Sequence, residues 1–460
     1  MISDLLYKSR NGYYFLQDDE EKQMESYCEE YKNFLNKGKT ERECVAYAVE
    51  CAEENGFIPF DPTKPLLPGD RIYFVNRNRS LYLAVIGQKS VSEGVNIGAA
   101  HFDSPHLDLR PLPLYEKGEM AFFRTHRYGH PREYQWVNIP LSMHGVVSMR
   151  NGSLINVCIG ESDDDPQLFI CDLLMHMGEV QDKKTLKEAI TPENLNILVG
   201  GRPYRDSAEG DSVKLSVMRI LSEKYGFTER DFLSADLEIV PAGKSRDAGI
   251  DRSFIASYGQ DDRVCAFALL KSLFELKVPE RTAVVICTDK EEVGSECTTG
   301  MQSECFDLFM EQICRLNNVS LKECYSRSLC LSADVTAGFD PHFANVFTEG
   351  NEFKMNHGVC IMKYSGRIGK SRGSEAEAEL LGKIYGVLDS RGVIWQGGEF
   401  GLPAIAKSGT ICEYFTRRNI DSIDVGVPLL SMHAPYEISA KLDCYMMYKC
   451  MKAIYQYEEG

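Results

Sequence analysis

Apolar residues recur along this chain with two different periods, and the switch between them marks its organisation. Between residues 19 and 56 they fall at helical spacing among charged neighbours, as in EEYKNFLNKGKTERECVAYAVECAEENG, which predicts a pair of surface helices closed by Gly56 as a C-cap. The segments DRIYFVNR, SLYLAVIG and VNIGAAHFDSPH then read as strands rich in β-branched and aromatic residues, the last running into a polar cluster. From about residue 112 to 245 the texture changes to short strand-like pieces (WVNIPL, HGVVSM, LINVCIG), with few convincing long helices before SVMRILSEKYG. Beyond it, strand and helix patterns alternate again: RTAVVICT, SLCLSAD, HGVCIMKYS, AEAELLGKIYGVLDSRG and SIDVGVPLLSMH. This alternation predicts an α/β sandwich around a mostly parallel sheet. The expected domains are a discontinuous one, residues 1–111 with 246–460, and an inserted β-rich one, residues 112–245.

Composition narrows the class without choosing a function. Of 460 residues, 43% are hydrophobic and 26% charged, which is ordinary for a globular chain of this length. Sixty-eight acidic against 51 basic residues give a net charge of -17, which argues against a nucleic-acid or anionic-membrane partner. The 16 cysteines form no CxxC pair, so neither a zinc ribbon nor a compact disulfide framework is expected. The N-terminus meets acidic residues before any apolar run of signal-peptide length, and no later run approaches a membrane span. A cytoplasmic protein with reduced thiols is the expectation.

The chemistry gathers where strands are predicted to end. TDKEEVGSECTTG follows the apolar run TAVVICT and places two carboxylates, Glu291 and Glu292, side by side. Neighbouring side chains of a strand diverge, so both serve one site only if a turn re-aims them. AAHFDSPH, YGQDDRV, LSADVTAG and LLSMHAPYE add His101, Asp103, Asp261, Asp262, Asp334 and His433. Taken singly each has a plain reading: a solvated loop, a helix cap at Asp261 and Asp262, or a turn histidine. Jointly they all follow apolar strand-like runs of an α/β chain, where open-sheet sites form.

Two histidines and several carboxylates are a hard-to-borderline ligand set suited to zinc, manganese or cobalt. A pair of such ions needs a bridging carboxylate and terminal ligands on each. The residues fill that scheme with His101 and Asp334 on one ion, Glu292 and His433 on the other, and Asp261 as the bridge. Asp103 then orients the His101 imidazole. Glu291 is left beside a ligand, where it can take a proton from the attacking water and pass it to a leaving amine.

These segments, in order and over nearly the whole length, resemble the M18 aminopeptidases, the aspartyl aminopeptidase family, and within it the bacterial branch. The family shares H-x-DSP, D-[ND]-R, D-x-EEVGS, SAD and a final SMH; this chain offers HFDSPHLDLRP, QDDRVCAF, DKEEVGSECTTG, SADVTAGFDPHF and SMHAPYE. The resemblance implies two divalent ions, zinc with manganese or cobalt as alternatives, held by His101, Asp261, Glu292, Asp334 and His433, with Glu291 as the catalytic base. It also implies a proteolytic α/β domain interrupted by a β-rich dimerisation domain, and a homododecamer built from dimers. By the same resemblance His176, in ICDLLMHMGE, reaches a neighbouring subunit's site. The chain departs from the bacterial pattern at Lys407, Ser408 and Gly409, where glycines are expected, and at His106, where arginine is expected.

The expected activity is removal of the N-terminal residue from peptides with a free amine. Its rivals are a dinuclear amidohydrolase or carboxypeptidase acting on blocked substrates, and an inactive shell protein that a metal merely stabilises. A nucleotide site is disfavoured, since neither GxxxxGK[ST] nor GxGxxG follows a strand. Acidic side-chain preference would require a cation near the substrate, for which Lys354, Lys363, Arg367, Lys370 and Lys407 are the candidates.

Overall fold

The computed structural model describes residues 5–7, 9–205, 210–366, 370–371 and 373–457. Arg367 lies outside the described residues. The chain divides into two compact units, residues 1–103, 245–432 and 437–460 in the first, and 104–244 with 433–436 in the second.

The first unit is built on a nine-stranded sheet. Its centre is four parallel strands in the order Ala283–Thr288, Asn96–His101, Leu329–Ala333 and Asp421–Gly426. Antiparallel neighbours continue it on both sides, Ser80–Val85 against the first and Val359–Met362 against the last. Every residue of Ala283–Thr288, Asn96–His101 and Leu329–Ala333 is buried, as the unbroken apolar runs require when both faces of a parallel sheet are covered. One face packs on helices Asp18–Lys37, Gln260–Phe274, Ala378–Ser390 and Lys441–Tyr455. The other packs on Cys305–Leu316 with Tyr325, Tyr414 and Phe415. The first face demands a glycine, because a Cβ on Gly98 would stand 2.2 Å from the Tyr455 hydroxyl. Full burial of residues such as Leu269 and Ile454 stabilises the sandwich by about 1.5–3 kcal/mol each.

The two helices expected at the start are present as Asp18–Lys37 and Glu41–Glu54. Thr40 and Glu43 close a reciprocal capping box on the second, and Gly56 takes the left-handed conformation (φ 81°) just past its end. They are less superficial than their charge suggests, since Met24, Tyr27, Cys28, Tyr31, Phe34 and Leu35 are all buried. A five-stranded sheet in the same unit runs Arg246–Ala248, Phe254–Ser257, Glu437–Ala440, Pro428–Leu430 and Thr336–Ala337.

The second unit is a six-stranded antiparallel sheet, ordered Leu154–Ile159, Leu141–Ser148, Ala235–Pro241, His106–Lys117, Met120–Tyr128 and Ile197–Gly200, with helix Ser212–Tyr225 packed on its last strands. WVNIPL, expected as a strand, is instead a turn leading into Leu141. Trp136 is fully buried there, so the apolar residue that suggested a strand serves as an anchor. Among the described residues, which include all 16 cysteines, none forms a disulfide and no helix is long and apolar enough to cross a membrane.

Candidate metal centre

Parallel strands deliver their C-terminal ends to one edge, and three site segments leave from that edge. His101 ends Asn96–His101 in register with Thr288 of the neighbouring strand, three residues before Glu291. Asp334 follows Leu329–Ala333 directly, and its N–H donates to the Val425 carbonyl at 2.9 Å. Gly426 is the small residue this approach needs, since a Cβ there would lie 1.6 Å from the Asp334 carbonyl oxygen.

His101 is buried and its two nitrogens have different tasks. Nδ1 lies 2.8 Å from the Asp103 carbonyl oxygen, which can only accept, so the ring hydrogen sits on Nδ1. Nε2 then turns its lone pair toward Asp261 Oδ1 at 3.3 Å and Asp334 Oδ1 at 3.8 Å. Burial opposes a charge on this ring, yet Asp103, Asp261 and Asp334 together push its pKa well up.

The adjacent glutamates are re-aimed by a 3-10 turn, Glu291–Val293, bounded by Lys290 (φ 72°) and Gly294 (φ 100°). Asp103 anchors this turn: its Oδ1 accepts from the Glu291 N–H at 3.2 Å and its Oδ2 from the Glu292 N–H at 3.1 Å. Glu292 is buried and Glu291 half-buried. Burial pushes the Glu291 carboxyl up to about 8, with His101 opposing and Asp334, Asp103 and Asp261 reinforcing the shift.

Two ligand groups result. One ligand atom each from His101, Asp261 and Asp334 lie within 4.8 Å of one another, and so do those of Asp261, Glu292 and His433. Asp261 belongs to both. The donors suit metal ions, because two ligands each about 2.1 Å from a tetrahedral zinc stand about 3.4 Å apart, and His101 Nε2 to Asp261 Oδ1 is 3.3 Å. Buried carboxylates so close would otherwise only repel one another.

His433 is half-buried in the turn after Pro428–Leu430, with φ 65°. His176 belongs to neither ligand group and is exposed in the 3-10 turn Met175–Val180. Lys354 pairs with Glu352 at 3.3 Å, Lys370 pairs with Glu375, and Lys363 and Lys407 are exposed. His106, buried, stacks on Tyr128 with ring centroids 4.2 Å apart and reaches Asp108 Oδ1 at 3.0 Å.

The residue-type reading missed Glu437. Its Oε2 accepts the N–H of Gln260 at 2.7 Å and of Asp261 at 3.1 Å, fixing the backbone that presents the Asp261 carboxylate. Asp261 (φ -80°, ψ 108°) and Asp262 are non-helical, so they precede the helix proper and are held by this carboxylate. The only signal was the acidic end of SMHAPYE. Asp289 was missed as well: buried beside the turn, it accepts from the Thr299 hydroxyl at 2.6 Å and closes the loop around Glu291.

Comparison with known proteins identifies the family. The sequence profile of the family described as aminopeptidase I zinc metalloprotease (M18) matches residues 34–455. A probable M18 family aminopeptidase 1 of Clostridium acetobutylicum is 40% identical over 453 residues, 97% of each chain. The crystal structure of an M18-family aminopeptidase from Thermotoga maritima superposes with a TM-score of 0.93 at 35% identity, covering 98% of this chain and 100% of that one. More distantly, a structure of the S. cerevisiae mApe1 dodecamer shares the fold at 18% identity and a TM-score of 0.77, covering 95% of this chain and 97% of that one.

Proposed function

The chain belongs to the M18 family of zinc metallo-aminopeptidases and is a hydrolase acting on peptide N-termini, and from that premise we propose how its residues divide the work. His101 and Asp334 would hold one zinc ion and Glu292 and His433 a second, with Asp261 shared between the two groups. The observation that carries this is the membership of Asp261 in both ligand groups, with Glu291 beside them and in neither. When bound, the ions supply Lewis-acid polarisation of the scissile carbonyl and lower the pKa of water. Glu291 takes the proton of the attacking water and delivers it to the departing amine, a transfer that contributes typically about 10²–10⁴-fold in rate. Asp103 fixes the His101 tautomer and the turn that carries Glu291 and Glu292. Manganese or cobalt in place of zinc would suit the same donors.

The reading extends to assembly. We assign residues 112–245 as a dimerisation domain within a cytoplasmic homododecamer, with His176 lent to a neighbouring subunit. Support comes from Leu174, Met175, Met177 and Val180, which expose between 52% and 84% of their surface around His176 and call for a covering surface. Sedimentation at a stable monomer mass would end this part of the reading.

The test of the activity is hydrolysis of free-amine and N-acetylated aminoacyl chromogenic substrates, before and after chelation and with zinc, manganese or cobalt restored. Metal-dependent release from the free-amine set alone is expected. Release from blocked substrates alone would turn the assignment to an amidohydrolase or carboxypeptidase, and silence on both sets would leave an inactive shell.

A further inference from the structure

Asp424 is 1% exposed, in the strand Asp421–Gly426, and its carboxylate is held by hydroxyls. A carboxylate so deeply placed is costly unless its oxygens are satisfied. Here Oδ1 accepts from the Thr410 hydroxyl at 2.6 Å, and Oδ2 accepts from the Ser374 hydroxyl. Those hydroxyls belong to separate segments. Ser374 pairs with Ser365, whose N–H donates to the Ser374 carbonyl at 3.0 Å and whose Oγ lies 3.0 Å from Ser374 Oγ. Thr410 stands just before the short helix Cys412–Thr416, its Oγ1 accepting from the Cys412 N–H at 3.2 Å.

The two segments are also fastened to each other. Ser408 Oγ accepts from the Gly366 N–H at 3.0 Å and donates to the Gly366 carbonyl at 3.2 Å. A glycine in place of Ser408 would lack both bonds. The short helix then reaches the catalytic turn, because the Tyr414 hydroxyl donates to the Gly294 carbonyl at 3.3 Å, and the Gly294 N–H donates to the Glu291 carbonyl at 2.9 Å. Asp424 also pairs in register with Ser332, two residues before the ligand Asp334.

We propose that Asp424 is a positioning residue for the hydrolysis: through Thr410 and Tyr414 it sets the turn that carries Glu291, and through Ser374 it sets the neighbouring segment around Ser365. Its effect on rate rests on the role given to Glu291 above, whereas the positioning itself is open to a separate test.

Thr410→Val, Tyr414→Phe and Asp424→Asn interrupt the path at successive points, and Thr410→Ser restores the hydroxyl. Hydrogen exchange in peptides spanning residues 289–300 reads the positioning without substrate; zinc content and the split between kcat and KM read its consequence. Thr410→Val and Tyr414→Phe are expected to speed exchange in 289–300 and to lower kcat by about 10- to 100-fold at unchanged zinc content, with Thr410→Ser within about twofold of the parent. Asp424→Asn adds the second arm, but Thr410→Val and Tyr414→Phe decide the matter if that variant fails to fold. Unchanged exchange in 289–300 in both, or a change confined to 408–416, overturns the proposal. A parent protein inactive on free-amine substrates would defeat the function assigned above, while the exchange data would still decide whether Asp424 positions the turn.

Discussion

Replacing Asp103 with asparagine tests how the centre is held together, because one residue does two jobs and the substitution alters one of them. It accepts the backbone N–H of Glu291 and of Glu292, one on each oxygen, and its own carbonyl fixes the His101 tautomer. Asparagine keeps the carbonyl and one acceptor oxygen but presents an NH₂ group to the other N–H. One charge-assisted bond becomes neutral, a loss of about 1 kcal/mol, and one amide is left facing a donor in a site where Asp103 is 1% exposed, a further cost of about 1–3 kcal/mol. The total, about 2–4 kcal/mol, corresponds to roughly a 30- to 1000-fold loss. It should divide between zinc affinity, because Glu292 is proposed as a ligand, and kcat, because Glu291 shifts with it. Competition with a chelator of known affinity measures the first, and steady-state kinetics at saturating zinc measures the second. If the variant binds zinc and turns over within about twofold of the parent, the turn is self-supporting and the reasoning fails, since outer-shell partners of this kind usually cost about 10–100-fold.

Glu291→Gln should retain zinc and substrate binding while kcat falls by about 10²–10⁴-fold; zinc analysis with single-turnover kinetics checks it, and near-parent turnover would remove Glu291 as the base. Elemental analysis of the purified protein should find two zinc ions per chain, and Asp261→Ala should lose both, whereas loss of one alone would dissolve the bridge. Acid stability is testable away from the centre at Asp247. Burial raises this carboxyl, but hydrogen bonds from Lys32 and Arg252 and the nearby Lys441 overcome that and hold it down at about 2. A depressed carboxylate adds stability above its unfolded value near 3.8 and loses it as pH falls toward 2, so Asp247→Asn should cost about 2 kcal/mol at pH 7 and progressively less below pH 4 in denaturant titrations. An equal cost at both pH values would show that packing, not charge, governs the site.

The sequence showed the ligands more clearly than the parts that aim them, and the reason is physical. Unbroken apolar runs such as AVVICT report burial on both faces of a sheet, so the polar residue that ends each run is conspicuous. His101, Asp334 and the Glu291–Glu292 pair were legible on that ground, and the structure brings them to one edge. Glu437, Asp289 and Asp424 were not, because their task is to hold backbone or hydroxyl groups, and for Glu437 and Asp424 the held groups lie in segments remote in sequence, 176 residues apart for Glu437 and Asp261. WVNIPL misled for a related reason: a buried tryptophan anchoring a turn has the composition of a strand.

The balance of charge gives an independent reason for two ions rather than one. Asp103, Asp261, Asp334, Glu291 and Glu292 are five carboxylates around two histidines, and the protonated nitrogen of one of them, His101, is already committed to a carbonyl. A pair of like charges at the 4.8 Å limit of a ligand group repels by roughly 3–4 kcal/mol at an effective dielectric near 20. A single divalent ion would leave the second group, with Asp261 and Glu292 together, largely uncompensated. Two would bring the cluster close to neutrality, so that in the proposed arrangement Glu291, outside both groups, could exchange a proton at modest cost while its neighbour Glu292 served as a ligand.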